Sequence, residues 1–218
     1  MPQQATVVMP TAATGRRVER RFYIGMALAA ILLSVAGFGP SIIDPSRRRV
    51  PLPLTPLVTT HAIVSGAYLL LFLTQATLVA AGRTAVHRRM GIVGAMLAVA
   101  WIVLGYVTSI QYARRGFDLS GDVIGQFDVP GTLVFQLGDL VSFGILVAAG
   151  FWFRRRPDIH KRLMLLATVT LMLGAPPAHL IGHWPSLHGA VGSIIALSVT
   201  IPTLSASIVS SHVIPQSL

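Results

Sequence analysis

Hydrophobic residues run continuously along most of the chain, and the breaks between runs are short and polar. Six apolar runs stand out: Phe22–Ile43, Leu57–Ala81, Met90–Tyr112, Val129–Phe153, Leu163–Ile181 and Leu187–Val209. None contains Lys or Arg. Each is close to the roughly 20 apolar residues a helix needs to cross a bilayer. The runs are continuous rather than alternating, so they predict helices and not the strands of a barrel. The predicted fold is therefore all-α: a polytopic transmembrane bundle of about six spans forming one domain over residues 22–209. Residues 1–21 are expected to form a disordered cytoplasmic N-terminus, and 210–218 a short tail.

Composition sharpens this picture. Charged residues make up 11% of the 218 positions, against about 25% in a soluble domain. The formal charge of +10 raises the question of nucleic acid. The arginines, however, sit in small clusters between spans, with no domain to carry a reader, so no nucleic-acid partner is expected. Cysteine is absent, which excludes disulfides, thiolate zinc sites and iron–sulfur clusters. Arg20-Arg21-Phe22 has the look of a twin-arginine export signal. The apolar run behind it is too long for a signal peptide and no small-residue cleavage site follows, so it reads as the first span.

The basic residues predict an orientation. With the N-terminus inside, the inner face holds Arg16, Arg17, Arg20, Arg21, Arg83, Arg88, Arg89, Arg154, Arg155, Arg156, Lys161 and Arg162. The outer face holds Arg47, Arg48, Arg49, Arg114 and Arg115. Twelve basic residues against five favour both termini in the cytoplasm of a cell whose inner (plasma) membrane holds the protein. The tail beyond Val209 has no basic residue, so the last span is oriented only by its predecessors. Ala113–Asp128 is the longest loop, expected outside.

One motif occurs twice. His87-Arg88-Arg89-Met90 opens the third span, and His160-Lys161-Arg162-Leu163 opens the fifth, 73 residues later. The same offset brings Gly82-Arg83 onto Arg155-Arg156. Spans two and three then read as one hairpin and spans four and five as its parallel repeat, which would bring the two histidines face to face.

Three polar groups are candidates for chemistry. The inner pair, His87 and His160, has the residue type for axial ligation of a b-type haem, with nearby arginines for the propionates. Anchoring at the lipid headgroups is the bland alternative. The outer group is His61, His179, His183 and His188. His179 and His183 are four apart, the spacing of a metal-binding pair on one helical face, if the helix survives Pro176-Pro177. His61 or His188 would supply a further ligand; a wet, histidine-rich hairpin anchored by Trp184 is the alternative. The third group is Asp139, about ten residues into the fourth span, with Gln136 one turn before it and Gln75 deep in the second span. Ionisable residues at that depth default to functional hypotheses. A proton relay or substrate path competes with a structural hydrogen bond between helices.

The stretches Gly82-Arg83, His87-Arg88-Arg89-Met90-Gly91 and Arg154-Arg155-Arg156-Pro157-Asp158-Ile159-His160-Lys161-Arg162-Leu163-Met164, taken with His61 and Gln75, resemble a family of uncharacterised bacterial multi-pass membrane proteins over roughly residues 50–180. The family has no assigned activity, so the resemblance implies a class rather than a function. A more distant likeness is to the ascorbate-reducible b-type cytochromes, whose four central helices hold two haems through four histidines. That likeness implies haem at His87 and His160, with His61 and His179 as further ligands. The fourth span has no histidine. His160 and His179 are 19 residues apart, about 28 Å along an ideal helix, which suits one haem better than two.

Three functions follow as expectations: a haem-binding electron-transfer protein, a small permease or proton-coupled transporter using Asp139, and a non-catalytic membrane scaffold. The lipid bilayer is the expected partner, with a possible homodimer, and a redox partner or quinone if haem is present. No nucleophile–base pair or phosphate loop is visible, and whether the protein is an enzyme stays open.

Overall fold

A computed structural model describes residues 12–47, 54–116, 129–187 and 189. The described residues are helical and contain no strand. The helices are α1 (Ala12–Ile43), α2 (Pro56–Ala80), α3 (Thr84–Arg115), α4 (Val129–Trp152), α5 (Pro157–Leu173) and α6 (Ala175–His183), with short 3-10 turns at Pro45–Arg47 and Pro185–Leu187. Five stretches are long and apolar enough to cross a membrane, the fifth being α5 and α6 together, Pro157–His183. Most of the expected sixth run, Leu187–Val209, lies outside the described residues, as does most of the Ala113–Asp128 loop.

Local sequence explains where the helices start and stop. Thr55 caps α2 by accepting the Val58 N–H at 3.3 Å, with Pro56 in the first turn, where its missing N–H costs nothing. At the other end Gly82 takes φ 75°. There Arg83 N–H bonds to Leu78 O (2.8 Å) and Gly82 N–H to Val79 O (3.1 Å). This is a Schellman stop, which needs a residue free of Cβ strain. Gly116, at φ 72°, closes α3 in a related way, with Arg114 and Arg115 in the last turn. Pro157 opens α5 and Asp158 sits in its first turn, both favourable at a helix N-terminus.

One start differs from expectation. α1 begins at Ala12, inside the stretch expected to be disordered. Its polar first turns find partners. Glu19 pairs with Lys161 at 2.6 Å, and Arg20 donates to the last carbonyl of α2, Ala80 O, at 3.0 Å.

The helices pack in chain order, and α1 closes the set by lying against α2, α5 and α6. Phe143, fully buried, stands at the centre. Tyr68 meets its ring edge-on at 5.5 Å and Trp101 at 4.9 Å. Small residues let the helices approach. A Cβ on Gly37 would lie 2.5 Å from Pro176 O, and one on Gly150 would lie 2.7 Å from Met164 Sδ.

The outside of the bundle is apolar. Ile92, Met96, Val99 and Val103 line one exposed face of α3, and Leu28, Leu32 and Val35 one face of α1. Such a belt is unsuited to water and suited to lipid. Six of the helical hydroxyls are satisfied locally. Thr60, Ser65, Thr74, Ser109, Thr168 and Thr170 each donate to the carbonyl four residues back, the usual arrangement where no water is available. The chain is a membrane-embedded helical protein.

Candidate functional site

Most of the described basic residues gather at one end of the bundle. Arg20 reaches the end of α2, Glu19 the start of α5, and His160 the end of α4. The starts of α1, α3 and α5 and the ends of α2 and α4 therefore share one side. Arg83, Arg88, Arg89, Arg154, Arg155, Arg156 and Arg162 are exposed there.

His87 and His160 meet at this end. Each sits four residues after the arginine that precedes its helix. His87 N–H bonds to Arg83 O (3.1 Å) and His160 N–H to Arg156 O (2.9 Å). Their ring centroids are 6.2 Å apart and the planes cross at 79°. His160 Nδ1 lies 2.8 Å from Gly150 O. A carbonyl oxygen only accepts, so Nδ1 carries the proton and the neutral ring keeps its lone pair on Nε2. Metal-bound histidines are commonly held in this way.

The two rings meet edge to face, and imidazole nitrogens are of the kind that haem iron takes. Two further atoms at the site await partners: His87 Nδ1 and Gln75 Oε1 are buried with no hydrogen-bond partner among the described residues.

Gln75 is placed differently from its expected company. Its backbone lies within interaction distance of the His87 ring. It stands five residues before the end of α2, whereas Asp139 stands thirteen before the end of α4. At 1.5 Å per residue they differ in depth by about 12 Å. Gln75 therefore belongs beside the histidine pair.

Asp139 faces the junction of α5 and α6. A Cβ on Gly174 would lie 2.9 Å from Asp139 Oδ2. Thr132, Gln136 and Asp139 share one face of α4 by their spacing. Thr132 Oγ1 and Gln136 Oε1 are buried with no hydrogen-bond partner among the described residues.

The outer histidines divide between two neighbours. The helix does resume after the break, because Pro176 and Pro177 fall in the first turn of α6, where proline is tolerated. His179 and His183 both face α1. The buried His179 ring packs on Phe38 at 4.4 Å, and His183 Nε2 is 2.8 Å from Ser41 Oγ. His61 packs instead on Trp101 at 5.7 Å. The Trp101 indole N–H donates to Ser65 Oγ at 2.9 Å, and Ser65 donates to His61 O at 2.7 Å. Among the described residues no three His, Asp or Glu side chains converge for a metal ion, so the His179–His183 pair has no third ligand there. His188 lies outside the described residues.

Sequence reading missed three contributors. The Gly150 carbonyl that fixes His160 leaves no mark in the sequence beyond the glycine. The Arg20 cap on α2 is a contact across 60 positions. The break at Gly174 was signalled by Gly174-Ala175-Pro176-Pro177, but its meeting with Asp139 was not. Comparison of the chain with protein-family models, with curated proteins and with solved structures returns no match.

Proposed function

We propose that the protein is an inner-membrane electron-transfer protein that holds one haem b between His87 and His160. The observation that carries this reading is the pair's geometry: two imidazoles 6.2 Å apart, one with its Nδ1 proton held by Gly150 O. The haem would supply one-electron chemistry. His160 would bind through Nε2, and the arginines at the basic end would hold the propionates. A quinone or a redox protein would exchange the electron. The reading includes a cytoplasmic basic end, following the charge rule. It also treats α2–α3 and α4–α5 as repeated hairpins and Leu187–Val209 as a sixth span. The equivalent positions of His87 and His160 in their helices support the repeat.

The test is the haem-to-protein ratio of the chain purified in mild detergent from haem-replete cells. Near-stoichiometric haem is expected in the wild type, with loss in His87→Ala and in His160→Ala. Substoichiometric haem that survives both substitutions would reject the reading. A second reading, a small proton-coupled permease, is favoured by Asp139 lying against the interrupted fifth span. It predicts a colourless protein that moves protons in liposomes, with Asp139→Asn folded but inactive. Failure of both assays leaves the scaffold.

A further inference from the structure

The fifth crossing is two helices. α5 ends at Leu173, α6 begins at Ala175, and Gly174 between them takes φ −88°, ψ −105°, far from helical ψ. In an unbroken helix the carbonyls of Met172 and Leu173 would accept from the N–H groups of residues 176 and 177. Both are proline and have none. Two backbone acceptors thus lose their helical donors within an apolar crossing, where water cannot replace them. They also lie at the negative end of the α5 dipole.

Asp139 meets this point. Its Oδ2 is 2.9 Å from where a Gly174 Cβ would stand. Ion pairs among the described residues involve Asp44, Glu19 and Asp158, and none reaches Asp139. One turn away on the same face of α4, Gln136 Oε1 is buried with no hydrogen-bond partner among the described residues. Asp139 thus brings a carboxylate to a helix end with two carbonyls free of helical donors, Gln136 offers an amide oxygen one turn away, and among the described residues no ion pair reaches the carboxylate. Oxygen ligands of this kind suit a hard cation. A single carboxylate balances one positive charge, while a divalent ion would leave net charge in the bilayer. Interrupted membrane helices are a known way to present carbonyls to sodium.

We propose that Asp139, the Met172 and Leu173 carbonyls and Gln136 bind a small alkali cation, sodium first, at the α5–α6 break. The site requires neither haem nor transport. The test is thermal unfolding of the full chain in detergent at mildly alkaline pH, with sodium chloride replaced by choline chloride at constant ionic strength. Sodium should raise the midpoint saturably, by about 5 °C. Asp139→Asn should abolish that dependence while leaving the haem-to-protein ratio unchanged. Gly174→Ala, which places a methyl group against Asp139, should shift the response to higher sodium and serves alone if Asp139→Asn does not fold. Equal midpoints in sodium and choline for the wild type would overturn the proposal. So would an unchanged sodium response in either variant.

Discussion

The two polar regions of this bundle are built under different rules. At the basic end, charge is abundant and cheap. Ten arginines there are exposed, Lys161 pairs with Glu19 and Asp158, and surface pairs of this kind contribute little. At the α5–α6 break, the one ionisable group among the described residues is the Asp139 carboxyl beside Gly174. At the membrane edge the arginines mostly report position, and the informative detail is the hydrogen bond that fixes the His160 ring. Deeper in the bundle each polar atom requires a partner, so one aspartate beside one glycine carries more information than a cluster of arginines.

Substitutions at either region should separate the two. The largest effect is expected at the histidines: His160→Ala should abolish a b-type absorption band, and haem retained in that variant would place the ligand elsewhere. Next is Gly37→Ala. Its Cβ would meet the Pro176 carbonyl, a backbone atom, at 2.5 Å. Overpacking of this kind costs about 1–3 kcal/mol, measurable as a lower unfolding midpoint in detergent. An unchanged midpoint would mean that α1 and α6 can separate without cost. Gly150→Ala should be milder, because the clash is with the flexible Met164 side chain.

Smaller effects should follow at the surface. Arg20→Met removes the donor to Ala80 O and should cost about 0.5–1 kcal/mol, seen as faster amide exchange in the last turn of α2. The smallest concerns Asp44. The Ser46 hydroxyl, then the Ser46 N–H and Arg47, hold its carboxyl below the usual range. A lowered pKa stabilises the folded turn above the ordinary value of about 3.9, and that contribution fades as pH falls through the lowered one. Protection of the Ser46 amide, taken as its exchange rate relative to the unfolded-chain rate at the same pH, should therefore fall only in acid, and Ser46→Ala, which removes the hydroxyl and keeps the N–H, should weaken that dependence.

Much of the fold was legible because membrane helices announce themselves. The apolar runs marked five crossings, and Thr55-Pro56, Gly82 and Pro157 marked turns through known backbone chemistry. The pairing of His87 with His160 was legible too, since a 73-residue repeat of a turn motif puts both on the same side. Depth was not. Gln75 was expected to share a path with Asp139, but helix register along the bundle sets it beside His87. The interruption at Gly174 was signalled by Pro176-Pro177, but its meeting with Asp139 was hidden, because that contact joins residues 35 positions apart on different helices. The start of α1 depended on contacts with α2 and α5, and one local segment carries no record of those.

The central claim is that His87 and His160 share one haem. A reduced-minus-oxidised optical spectrum of the purified protein tests it most directly. A sharp b-type α-band at about one haem per chain, lost in His160→Ala, is the predicted result. A flat spectrum from haem-replete cells would contradict it and return both histidines to the membrane surface.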